Sequence, residues 1–331
     1  MAAVVLCWAY SPIGIHIGLQ SYSPGHLALL RFLIASLFMA LIALFIGIGV
    51  PRLRDVPWLM LLGLFAVALH HMALNMGQRW VSPGASSVLA QTAPLFSTFI
   101  AAVCLKERVS GWRWLWVAVG LLGVVVVIWG DKGVGEFHPQ GLVLLLAALS
   151  WSIYFVLQKH ISTRYSPLTI VCYMVWGGTL LLCVYWPGLT DEVLKAPVRV
   201  NVAVLILGLF PSALAYLLWG FVLNHTQVSR SVSVMYLIPP VAMALAAGVL
   251  GSEVSAGVIA GAAIVLGSVI AMSREPQSRR LKFRAFCHSA FCAPLSPKAL
   301  TTISISLFSK VLGARVDGRS VPNIKAFGLA A

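Results

Sequence analysis

The chain holds 331 residues, 60% of them hydrophobic and only 10% charged. A soluble domain carries about 25% charged residues, so this chain cannot clothe a surface in water, and a water-soluble fold is excluded. The formal charge is +14. Ten of the basic residues lie from Arg274 onward with no aromatic-basic module beside them, which argues against nucleic acid as a partner.

A helix crossing the hydrocarbon core needs about 20 mostly apolar residues. Ten such runs are predicted in chain order: Ala2–Gly18, His26–Val50, Val56–Gln78, Pro83–Leu105, Gly111–Gly130, Gln140–Gln158, Pro167–Trp186, Val202–Leu223, Ser231–Leu250 and Ala256–Met272. Turn-forming breaks separate them, including Tyr22-Ser23-Pro24, Pro51–Asp55, Asp131–Pro139 and Asp191–Pro197. The first run has no basic leader before it and is read as a spanning helix. Backbone groups in lipid must pair within their own segment, and the runs lack the alternation of barrel strands, so helices are expected. Cys7, Cys104, Cys172 and Cys183 sit in apolar runs as packing residues. Cys287, His288 and Cys292 are one ligand short of a structural zinc site, so no metal or other cofactor is expected.

The chain repeats itself. Tyr22-Ser23-Pro24 returns as Tyr165-Ser166-Pro167, and Trp8 matches Trp151 at the same offset. Further on, Pro94 matches Pro240, Glu107 matches Glu253 and Gly111 matches Gly257. Each half then holds five helices. An odd number makes the second half enter the membrane from the opposite side, an arrangement common to secondary transporters. The expected fold is all-α and integral to the membrane: ten transmembrane helices as two inverted five-helix repeats, residues 1–130 and 139–273. Residues 274–331 form a basic, poorly ordered tail. Basic residues in short connections set the orientation. Arg52, Arg54, Lys106, Arg108, Lys159, Arg164 and Arg230 fall on one side, with the tail, against Arg79, Lys132, Lys195 and Arg199 on the other. Both termini are expected in the cytoplasm, in a cell membrane of the bacterial inner-membrane type.

Two segments, Ser82–Ile128 and Ser229–Met272, share a small-residue start, a mid-helix proline, a glutamate after the helix and a glycine-containing closing helix. With Arg31-Phe32 in the second helix, they resemble the drug/metabolite transporter superfamily in its EamA-type ten-helix branch. The likeness spans about residues 1–273. It implies transport of a small metabolite, in a family whose members move amino acids, sugars, nucleosides and drugs.

Polar side chains inside spanning helices are costly unless they face protein or water, so their pattern marks a pathway. Four helices each show one polar stripe: His71, Asn75 and Gln78; Ser87, Gln91, Pro94 and Thr98; Ser150, Tyr154 and Gln158; Ser233, Tyr236 and Pro240. Trp8, Tyr10, Arg31, His71, Asn75, Gln91, Trp151, Tyr154 and Tyr236 are the candidate cargo contacts, with hydrogen bonding between helices as the alternative use of the polar ones. His70 and His71 are candidates for proton coupling. Pro94, Pro239 and Pro240 are candidate hinges. Arg31 either snorkels to the interface or meets an anionic group on the cargo. Gly257 and Gly261 permit close approach of another helix, within the fold or in a homodimer. No catalytic constellation is visible, so the chain is not expected to be an enzyme. With no carboxylate at the midplane, the expected function is secondary transport, as an exporter, of a small neutral, zwitterionic or anionic metabolite by alternating access. Lipid flipping is the alternative, and an intramembrane enzyme a more distant one.

Overall fold

Why the helices start where they do is written in a short motif. In the computed structural model, Ser23, Ser82 and Ser166 each cap a helix whose first turn opens with proline, their hydroxyls accepting from the backbone N–H of His26, Ala85 and Thr169. Serine satisfies an orphan donor, worth about 1 kcal/mol, and proline loses nothing at a position whose N–H is unpaired anyway. Ser110 and Ser255 cap two further helices through Arg113 and Val258.

The structure describes residues 1–103, 109–131, 139–162, 164–225 and 235–273. The expectations for Cys104, Lys106, Glu107, Arg108, Lys132, Arg230, Ser233 and the whole tail lie outside these. The described helices are α1 (Ala2–Gly18), α2 (Pro24–Ile46), α3 (Val56–Gly63), α4 (His70–Gly77), α5 (Pro83–Ala90), α6 (Ala93–Val103) and α7 (Gly111–Gly130) in the first half. The second half holds α8 (Val143–Ile161), α9 (Pro167–Leu182), α10 (Leu189–Lys195), α11 (Val198–Leu209), α12 (Ala215–His225), α13 (Ile238–Leu250) and α14 (Ala256–Ser273). Seven continuous helical stretches among the described residues are long and apolar enough to cross a membrane. The other three predicted runs are the shorter α1, the broken pair α5–α6, and α13.

Three departures from the predicted runs have physical causes. The run Val56–Gln78 is one helix interrupted by a π turn at Leu64–Leu69, and the run after Pro197 carries another at Phe210–Leu214. The predicted fourth run breaks at Gln91-Thr92, because Pro94 has no N–H for the Ala90 carbonyl and Leu95 N bonds Thr92 instead of Gln91. Between the seventh and eighth runs, the expected break contains α10, with Asp191 and Glu192 in its first turn and Lys195 in its last, matching the helix dipole.

The two halves pack as antiparallel equivalents. Ser36 and Thr179, at matching positions of the repeat, share a hydrogen bond of 2.7 Å. The start of α2 lies beside the end of α9, with His26 Nε2 3.0 Å from the Pro187 carbonyl oxygen. Past the far end of α2, Arg52 N donates to Tyr165 Oη beside the start of α9. Close approach depends on glycine. A methyl on Gly63 would lie 2.5 Å from the Gly178 nitrogen and from the Met174 carbonyl oxygen. Gly257 meets the backbone of Gly130, and Gly261 meets Val127 and Gly123, so this small-residue pair is used inside the fold, joining α14 to α7.

Candidate functional site

Between the halves lies a cavity of about 870 Å³, at the upper end of the range for small-molecule sites. One side is aromatic. The Trp8 ring lies 5.9 Å from Tyr216 and 5.7 Å from Trp219, and Trp151 lies 6.0 Å from Tyr216 and 4.8 Å from His70. Backbone irregularities hold these rings in place. The indole of Trp8 donates to the Pro211 carbonyl in the second π turn. In the first, the Phe65 carbonyl takes the hydroxyl of Ser150 at 2.6 Å. π turns recur at functional positions because they re-aim the residues that follow.

The other side of the cavity is polar. Ser86, Ser87, Gln91, Ser97 and Thr98 line it from the broken pair α5–α6. The break leaves the Ala90 and Gln91 carbonyls without their helical donors beside the cavity, as in other transporters whose discontinuous helices form the binding site. One residue before the equivalent position in the second half, Tyr236-Leu237 is also a turn, and Pro239 and Pro240 stand just beyond it.

Arg31 is the charged group at the centre. It is only 1% exposed, so it does not snorkel. Nε donates to Ser212 Oγ at 2.8 Å, and Nη1 is buried with no hydrogen-bond partner among the described residues. Of the described acids Asp55, Asp131, Asp191, Glu192 and Glu253, none lines the cavity. Burying a cation without a counter-ion costs several kcal/mol, and such expense marks a functional group inside a membrane.

The two ends of the bundle differ. At one end the lining reaches Arg113, Ser162, Pro167 and Ser273. At the other, polar contacts cross between helices: Gln78 donates to the Pro12 carbonyl, Tyr22 Oη donates to Asn201, and Ser82 bonds Asp131 through both its hydroxyl and its N–H. There too, Glu192 accepts from Ser23 N at 3.0 Å and sits 2.8 Å from His26 Nδ1.

The sequence pattern of the EamA-like transporter family matches this chain over residues 1–129 and again over 140–274. The chain belongs to the EamA-like transporter family. It is 36% identical to "Uncharacterized transporter YdfC" of Bacillus subtilis (strain 168), covering 71% of this chain and 77% of that protein. It is 31% identical to the "Probable terminal-alkyne amino-acid exporter" of Streptantibioticus cattleyicolor, covering 85% and 94%. A solved crystal structure with 20% sequence identity shares the fold, with a TM-score of 0.56 over 85% of this chain and 96% of that one. The protein is therefore a multi-pass membrane transporter.

Within this EamA-like transporter, Trp8, Arg31, His70, His71, Gln91, Pro94, Trp151 and Tyr236 line the cavity. Tyr10, Asn75 and Tyr154 do not. Tyr10 packs against the Gly14 position, Asn75 donates to the Pro24 carbonyl at 3.0 Å, and Tyr154 is buried behind Trp151. Pro239 and Pro240 flank the site without lining it. Sequence reasoning missed Tyr216, Trp219 and Ser212. Tyr216 was within reach, because it is the second half's counterpart of His70 at the offset that relates Pro94 to Pro240.

Proposed function

We propose that this transporter works by alternating access, rocking its two inverted halves around the central cavity, and exports a small metabolite that carries a carboxylate, zwitterionic or anionic. Arg31 carries this reading: a buried guanidinium with an unpartnered Nη1 faces the cavity, and a planar fork of donors suits a carboxylate. The aromatic rings close to it suit an apolar side chain on the same molecule. An amino acid fits both demands, and the Streptantibioticus relative is named for exporting one. The ends of the bundle support loading of the cargo from inside. The cavity lining runs to the end that the basic connections assign to the cytoplasm, while the opposite end is crossed by polar contacts.

Counterflow in proteoliposomes tests this, with the wild type exchanging labelled amino acids across the bilayer. Replacing Arg31 with Gln should cut the exchange at least tenfold, and Arg31→Lys should fall between, because a point charge keeps attraction and loses the fork. Wild-type exchange in the Gln variant, or movement of a fluorescent lipid with no amino-acid exchange in the wild type, overturns the proposal.

A further inference from the structure

The histidines beside Arg31 supply something the arginine cannot. His70 Nδ1 lies 2.8 Å from the Ala147 carbonyl oxygen, and His71 Nδ1 lies 3.1 Å from that of Val67. A carbonyl oxygen only accepts, so in each ring the hydrogen sits on Nδ1 and the neutral imidazole keeps a lone pair on Nε2. Both rings line the cavity, and Nε2 of His70 has no hydrogen-bond partner among the described residues. The ring also lies 4.8 Å from Trp151, centroid to centroid, so an aromatic ring adjoins the imidazole.

We infer that His70 is a specificity-determining residue that recognises the α-ammonium group of the cargo. This rests on the carboxylate reading of Arg31 and goes further, since it selects amino acids over other carboxylates. An ammonium group has three N–H donors and needs acceptors. Among the described residues no carboxylate lines the cavity, and the fixed imidazole lone pair stands there with the π face of Trp151, the freed carbonyls of Ala90 and Gln91 and the hydroxyls of α5–α6 as groups that can receive the ammonium. The Ala147 carbonyl locks the tautomer, and a locked acceptor discriminates where a rotating one would adapt. A molecule lacking the amine leaves that acceptor unpaired, which is how sites built for hydrogen bonding reject near-isosteres.

The test is equilibrium binding of L-phenylalanine and of 3-phenylpropionate, the same molecule without its amine, to the full-length protein in detergent. The wild type should prefer phenylalanine at least tenfold. His70→Phe should bring the two affinities within about twofold of each other by weakening phenylalanine alone, and its unchanged hold on 3-phenylpropionate would show a folded site. His70→Gln, which keeps a side-chain acceptor, should retain part of the preference and serves as the test if the Phe variant does not fold. Arg31→Gln should lose both probes. A wild type that fails to prefer phenylalanine, whether it binds both probes equally or neither, overturns the inference. So does a preference that survives in both His70 variants. If that happens while Arg31→Gln still loses both probes, only the role of His70 falls. If Arg31→Gln keeps both, the carboxylate reading falls with it.

Discussion

The two halves of this transporter share a skeleton and divide the chemistry. Trp8 and Trp151 stand at matching places on the cavity wall, the π turns begin at Leu64 and Phe210, and the broken helices turn at Gln91-Thr92 and Tyr236-Leu237. Against that likeness, Arg31 in the first half corresponds to Met174 in the second, and His70 to Tyr216. Tyr165 binds Asp55, which Arg164 also holds at 2.9 Å, whereas its counterpart Tyr22 binds the uncharged Asn201. On the alternating-access proposal, the shared features are those a moving bundle needs twice: capped starts and weak points in the helices. Of the unshared ones, Arg31 and His70 line the cavity, while the Tyr165–Asp55 and Tyr22–Asn201 contacts lie away from it. On the same proposal, the repeated features belong to the machine, and the unrepeated residues of the cavity wall to the binding site.

The largest expected effect of testing this division is on the skeleton. A methyl on Gly63 already meets backbone atoms of α9 that cannot move aside. Gly63→Val should therefore destabilise the protein by about 1–3 kcal/mol or more and lower its Tm in detergent. Gly248, with nothing within 4 Å of its Cβ position, is the contrast. Gly248→Ala should leave Tm unchanged or raise it, since glycine in a helix costs roughly 0.5–1 kcal/mol relative to alanine. Equal losses at both positions would mean that close crossing is not what holds the halves together.

A smaller effect is expected where the skeleton aims the chemistry. Ser212 sits in the second π turn, donates to the Leu207 carbonyl at 3.0 Å and accepts from Arg31 Nε. It does not line the cavity, so it acts by positioning Arg31. Ser212→Ala removes a hydrogen bond to a charged group, worth about 1.5–3 kcal/mol. Part of that returns as Arg31 re-orients, and the KM for amino-acid counterflow should rise several-fold with little change in maximal rate. Ser212→Thr keeps the hydroxyl and should restore KM. A fall in maximal rate with KM unchanged would place Ser212 in the moving parts instead.

Much of this was legible in the sequence. Pro83 and Pro167 open predicted runs as they open α5 and α9, and Tyr-Ser-Pro with the proline–glutamate spacing gave the repeat. Serine before proline suits a helix start, but the pair alone does not mark one, since Ser11-Pro12 lies within α1. The faces of the helices were harder to read. α2 is apolar all round, so nothing in its pattern tells whether Arg31 turns toward lipid or cavity. The stripe of His71, Asn75 and Gln78 was seen correctly as one face, yet only His71 reaches the cavity, while Asn75 and Gln78 bond carbonyls of neighbouring helices. Periodicity selects a face of a helix and is silent about what stands opposite. The π turns left no trace in composition, because an extra residue in a turn is fixed by tertiary contacts such as Ser150 to Phe65.

The smallest effect belongs to the contact where the two halves meet as equals. Ser36 and Thr179 share their hydrogen bond at matching positions, and Thr179 also bonds the Val175 carbonyl of its own helix at 2.8 Å. Hydrogen bonds between membrane helices are worth about 0.6 kcal/mol on average. Ser36→Ala should therefore lower stability by that order and leave KM untouched, because neither residue lines the cavity. The double variant with Thr179→Ala should add little to the larger of the two single effects, which is the signature of a shared bond. Full additivity would show that the pair is coincidental contact between two surfaces held together elsewhere, by the glycine crossings. A change in KM would show that the line where equivalent helices cross reaches the cargo, and that the division between machine and binding site is drawn in the wrong place.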